Sequence, residues 1–232
     1  MKDLDLIVGP RVPQELLKRE RKRFLLPTVF LGLAGLLLLV SIFFPYWRMT
    51  LHAPQYPGGL QIQLYVNHVT GDVEEIDGLN HYIGMRSMKD AAPLERSLSI
   101  VMIAVIVLLA IGAIYIHSPI ALFFSFPAFL FPVIFLGDLY FWMWNYGTNL
   151  DPRAPLSGAI EPFVPPILGV GKVGQFKTVA SWDIGLYLSI VASILIIIGL
   201  YFHRKAYKPL IESKFQEAKE VQQSVGEQEQ VK

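Results

Sequence analysis

Four long apolar runs constrain this chain more than anything else in it. They lie at about residues 24–44, 98–116, 120–144 and 184–202, and they carry almost no charge. Each approaches or exceeds the roughly 20 residues needed to cross a bilayer as a helix. Backbone polar groups in hydrocarbon must be satisfied within the chain, which restricts such runs to helices. The expected fold class is therefore an all-α membrane protein: four transmembrane helices with a small extracytoplasmic segment containing a β-hairpin. A hydrophobic share of 53% fits that class. The first run follows a basic stretch, Lys18-Arg19-Glu20-Arg21-Lys22-Arg23, as a signal peptide would. It is too long for an ordinary signal core, and Phe43-Phe44-Pro45-Tyr46-Trp47 is no small-residue cleavage site, so an uncleaved anchor is expected.

Between the runs lie a polar N-terminal tail (1–23), two interspan segments (45–97 and 145–183) and a charged C-terminal tail (203–232). The tails hold seven and six Lys or Arg residues, and the two segments hold four and three. The positive-inside bias then puts both termini in the cytoplasm and both segments outside, across the inner membrane of a bacterium with two membranes. Pro127 and Pro132 predict kinks in the third span. Asp138 reads as an interfacial acid, and Tyr140, Phe141, Trp142, Trp144 and Tyr146 read as an aromatic belt. The last ten residues have the composition of a disordered tail.

In the first segment, Leu60-Gln61-Ile62-Gln63-Leu64-Tyr65-Val66-Asn67 alternates like a half-buried strand, after a break at Pro57-Gly58-Gly59. A turn at Thr70-Gly71-Asp72 and a returning strand at Val73-Glu74-Glu75-Ile76 complete the expected hairpin. The second segment is rich in Pro and Gly, which predicts little regular structure. Its Gly169-Val170-Gly171-Lys172-Val173-Gly174 pattern lacks the βαβ surroundings of a nucleotide site.

A net charge of +1 offers no basic field for nucleic acid. The absence of cysteine removes disulfides, thiolate catalysis and iron–sulfur clusters. No nucleophile motif or HExxH is present, so a non-enzymatic role is expected. The chemistry-bearing stretch is Gly78-Leu79-Asn80-His81-Tyr82-Ile83-Gly84-Met85-Arg86-Ser87-Met88. On a helix, His81, Met85 and Met88 fall at i, i+4 and i+7, on one face. Imidazole and thioether suit Cu(I). His68, at the expected hairpin turn, is a further candidate, and Met49 and His52 lie just past the first span. Core packing is the plainer reading of methionines at helical spacing. Zinc is the rival metal, through His68, His81, Asp72, Glu74 and Glu75. Haem finds no histidine at mid-span.

Three stretches resemble a family of polytopic membrane proteins of bacterial nitrous-oxide reductase gene clusters. They are Gly71-Asp72-Val73-Glu74-Glu75-Ile76-Asp77-Gly78-Leu79-Asn80-His81-Tyr82-Ile83-Gly84-Met85, Trp144-Asn145-Tyr146-Gly147-Thr148-Asn149-Leu150-Asp151-Pro152 and Pro165-Pro166-Ile167-Leu168-Gly169. The resemblance covers both outer segments and the spans between them, not the tails. It implies a factor that helps supply copper to the periplasmic reductase, with His81 and Met85 as matched residues and Met88 as an addition. Where the family pattern has histidine, this chain has Thr148. The implied partners are the lipid bilayer and a periplasmic copper enzyme or copper chaperone. The alternatives are a non-catalytic membrane anchor of a respiratory complex and, weakest because a transporter would show polar groups at mid-span and only Asp138 comes close, a transporter.

Overall fold

The computed structural model describes residues 12–173 and 176–230. The first eleven residues of the N-terminal tail and the Gly174 end of the glycine pattern fall outside those limits. The helices are α1 (Gln14–Arg19), α2 (Arg21–Ser41), α3 (Val73–Ile83), α4 (Pro93–Gly112), α5 (Ile120–Thr148) and α6 (Ile184–Gln230). The strands are β1 (Trp47–Ala53), β2 (Tyr56–Leu64), β3 (Val69–Gly71), β4 (Gly169–Val173) and β5 (Phe176–Trp182). Four stretches, Arg21–Ser41, Pro93–Tyr115, Ile120–Thr148 and Ile184–Ser213, are helical, long and apolar enough to cross a membrane. α6 runs on to Gln230, through the stretch expected to be disordered.

The fold is not purely all-α. One antiparallel sheet of five strands, in the order β3-β2-β1-β5-β4, draws β1, β2 and β3 from the first interspan segment and β4 and β5 from the second. Two segments sharing a sheet lie on one side of any bilayer the helices cross. The expected hairpin is displaced: β1 pairs with β2, Trp47 opposite Leu64 and Leu51 opposite Leu60, and Pro57-Gly58-Gly59 lies inside β2. The ladder shifts register between Leu51 and Ala53, and Gly59 takes φ +76, so the glycine supplies an irregularity within the strand rather than an end to it. Val73–Ile83 is a helix, not the returning strand. Ile76, Asn80 and Ile83 are its buried positions, at i, i+4 and i+7, and Glu74 and Glu75 favour the positive end of its dipole.

The chain forms two compact units. One comprises the described part of Met1–Leu36 with Ile106–Phe129 and Ala192–Lys232. Its buried positions are mostly small: Ala34, Ala110, Ala121, Ser125, Ala128 and Ala192. A Cβ at Gly35 would meet Val107 Cγ1 at 3.2 Å, and one at Gly199 would meet Leu31 Cγ at 3.0 Å. Small residues admit such close approach, which is how helices associate where lipid removes the hydrophobic drive. The Ser193 hydroxyl donates to the Phe129 carbonyl at 2.9 Å, one residue beyond the carbonyl that Pro132 leaves free. Tyr207 stacks on His117 at 4.1 Å and packs against His203 and Phe24.

The other unit, Leu37–Val105 with Leu130–Val191, contains the whole sheet. β1 alternates: Trp47, Met49, Leu51 and Ala53 are buried, and Arg48 and His52 are exposed. With Leu60 and Ile62 of β2, Phe176 and Ala180 of β5, and Ile76 and Ile83 of α3, they make one core. At its base Tyr46 is fully buried, and its hydroxyl shares a 2.6 Å hydrogen bond with Ser41 Oγ. Burial pushes that phenol up to about 12, with the Ser41 bond pulling the other way. Asp183, 3% exposed, accepts from Arg48 Nε at 2.8 Å and from the Ile184 N–H at 2.8 Å, capping α6.

The asymmetry of that ion pair sets a prediction. Arg48 is half-exposed, so removing Asp183 lets it return to water, whereas removing Arg48 leaves a buried carboxylate with only the helix end for company. Arg48→Ala is expected to cost about 2–3 kcal/mol, and Asp183→Asn, which keeps a cap, about 1 kcal/mol. Thermal unfolding of the purified variants in one detergent checks the order; a larger loss for Asp183→Asn refutes it.

Candidate metal-binding cavity

α3 stops because of Gly84. That residue takes φ +84, and the N–H groups of Gly84 and Met85 both turn back to the Asn80 carbonyl, the latter at 2.9 Å. This is the left-handed glycine ending of a helix. The face expected to carry His81, Met85 and Met88 together therefore ends after Ile83. His81 stays on the exposed side, its ring 6.3 Å from that of Tyr82. Met85 and Met88 leave the helix and turn into the core.

Backbone and side-chain bonds hold that turn. Asp77, one turn before His81, accepts from the Ser87 hydroxyl and from the Met88 N–H at 2.7 Å. The Tyr146 hydroxyl donates to the Ser87 carbonyl at 3.1 Å. The Asp151 N–H donates to the Gly84 carbonyl at 2.8 Å, and the Leu156 N–H to the Tyr82 carbonyl at 3.0 Å. Lys89 pairs with Glu74 at 2.9 Å on the surface. The hydrogen bond from Lys89, and then its charge, lower the Glu74 carboxyl; both side chains are exposed, so the pair adds little to stability.

Met85 and Met88 line a cavity of about 100 Å³ inside the sheet-bearing unit. Met49 comes to it from β1, Thr178 and Phe176 from β5, and Trp142, Met143 and Tyr146 from the end of α5. Asn80 and Ile83 supply the α3 side. The space exceeds what a water needs, and its walls are almost wholly apolar. Four of the chain's six methionines thus face one hollow.

The imidazoles are elsewhere. His68 stacks on Tyr65 at 4.3 Å and bonds Asn67 Oδ1 through Nδ1 at 2.7 Å. His52 lies on the face of β1 opposite to Met49, because successive strand residues alternate sides. Among the described residues, no three His, Asp or Glu side chains gather where they could hold a metal, so the carboxylate–imidazole zinc grouping does not assemble. Thr148 spends its hydroxyl on the Trp144 carbonyl at 2.7 Å. Met143 escaped the sequence reading because it sits within an aromatic run, and Asp77 because it reads as one more surface acid.

Gly84 supplies the second prediction. A Cβ there would stand 2.7 Å from the Asp151 carbonyl oxygen, on a backbone conformation that side chains rarely adopt. Gly84→Ala is expected to destabilise by about 2 kcal/mol. Gly78→Ala, with open space around its Cβ, is expected to be neutral or mildly stabilising. Paired thermal melts check both, and equal melting temperatures for the two variants would refute the role of the turn.

A scan against protein-family models and a search of curated proteins return no match for this chain.

Proposed function

We propose that this multi-pass membrane protein binds copper on the extracytoplasmic side of an inner membrane and assists maturation of a periplasmic copper enzyme such as nitrous-oxide reductase. The observation that carries the reading is the placing of Met85 and Met88 on the wall of one cavity, in the stretch whose residues resemble the reductase-cluster family. In a chain without cysteine, thioether is the soft ligand on offer. It also avoids the disulfide exchange to which thiols are open in an oxidising compartment. A supply factor needs a site with few ligands, so that a tighter site on the receiving enzyme can take the ion. The partners of this reading are the bilayer, a periplasmic copper chaperone and the receiving enzyme. Both tails face the cytoplasm, since thirteen of twenty Lys and Arg residues lie in them.

Two measurements test this. Alkaline phosphatase fused after Lys89 or after Lys172 is expected to be active, and green fluorescent protein at the same places dark; the reverse at either place overturns the topology. Cells lacking the gene are expected to make the reductase with less copper per protein, restored by added copper. A fully loaded reductase from the deletion strain refutes supply. If that loaded enzyme also fails to receive electrons in cells, the protein is instead an anchor of the respiratory chain.

A further inference from the structure

We propose that the cavity is a Cu(I) site built from thioethers alone: Met49, Met85, Met88 and Met143. This rests on the copper reading above and names the ligands, the ion class and the pH behaviour of the site. Three separate parts of the chain, β1, the turn after α3 and the end of α5, bring the four methionines to the lining of one cavity. Sixteen residues line the hollow, and four of the six methionines in a chain of 232 are among them. Methionine also fills irregular gaps in a core, so the Met→Leu series below, which keeps the volume and removes the sulfur, separates packing from ligation. No histidine lines the cavity.

The walls also select among ions. A neutral, largely apolar lining has no anion to offset a buried charge, and the desolvation cost of an ion rises with the square of its charge. A divalent ion is therefore penalised about four times as heavily as a monovalent one. Cu(I) and Ag(I) are monovalent, soft and matched to thioether sulfur; Zn(II) and Cu(II) are not. Thr178, 6% exposed, lines the cavity as well, and its buried Oγ1 has no hydrogen-bond partner among the described residues. The hollow is therefore not a fully matched apolar core. Methionine has three rotatable side-chain bonds, enough to close four sulfurs around an ion smaller than the space.

Thioethers bind no proton near neutral pH, so affinity for Cu(I) should be flat with pH. An imidazole ligand would instead lose the ion as the ring protonates below its usual pKa of about 6.5. The experiment is an anaerobic Cu(I) competition titration of full-length protein in detergent at about pH 5.5 and 7.5, repeated with Ag(I) and Zn(II). It compares single Met→Leu variants at 49, 85, 88 and 143, the quadruple variant, and the His68→Ala/His81→Ala double variant. Leucine conserves the volume, and melting temperature confirms folding. Each single change is expected to weaken Cu(I) and Ag(I) about tenfold. The quadruple variant is expected to bind neither, the histidine variant to bind as wild type, and Zn(II) not to compete. X-ray absorption of the Cu(I)-loaded wild type should show sulfur neighbours only, which decides the matter even if the quadruple variant fails to fold. A folded quadruple variant that binds Cu(I) as tightly as wild type, or nitrogen in the copper shell, overturns the thioether site and leaves copper binding standing. A wild-type protein that binds no Cu(I) overturns both.

Discussion

The pairing of β1 with β5 is the constraint on which the rest of the sheet-bearing unit depends. Trp47 stands opposite Trp182 and Thr50 opposite Val179, along a six-residue antiparallel ladder between two segments separated by two spans. Without it the sheet falls into β3-β2-β1, in which β3 is only three residues long, and the β4–β5 hairpin, and a two-stranded ribbon is at best marginal in water. Together they make five strands with one apolar face, large enough to receive α3 and the end of α5. The Tyr46 carbonyl accepts the Asp183 N–H at 3.0 Å, and Arg48 meets Asp183, so the ladder is locked where the first and last spans begin to diverge from it. The cavity is what remains between that face, α3 and the turn at Gly84.

The spans were legible because nothing else in a chain of this composition explains runs of that length without charge. The sheet was only partly so. Trp47-Arg48-Met49-Thr50-Leu51-His52-Ala53 alternates strictly, and the signal for β1 is plain once Met49 and His52 are read as strand neighbours on opposite faces, not as a helical i, i+3 pair. β5 was hidden by the Pro and Gly before it and by Thr178 at an inward position. β4 is hardly a strand at all by sequence, and exists because β5 offers it an edge. Such pairings are tertiary facts, and local pattern does not encode them.

The candidate site divides in the same way. Met85 and Met88 stood out in the sequence as candidate soft ligands, since a chain without cysteine has no other sulfur, and both line the cavity. Their geometry was not legible. A helical continuation past Gly84 predicts His81 alongside them, and one residue in the left-handed region sends the methionines inward and leaves the histidine outside. Met49 and Met143 are themselves more than 90 residues apart in the chain, so only the assembled sheet and α5 could bring them to Met85 and Met88.

The ladder also governs when the cavity can come into being during biogenesis. Arg48 and Asp183 are 135 residues apart, so the first strand leaves the ribosome long before its partner has been synthesised. Until three spans are inserted and β5 follows, β1 carries a bare edge, covered on one side by β2 alone. Unpaired edges of this kind are where chains mispair with one another. The Lys177 and Ser181 positions on β5, and Arg48 and His52 on β1, put polar groups along that waiting seam. Since Phe176 and Thr178 are part of the wall, no chain cut short before β5 possesses the whole lining. Completion of the sheet and completion of the cavity wall are thereby tied to a single late event, the arrival of the fifth strand.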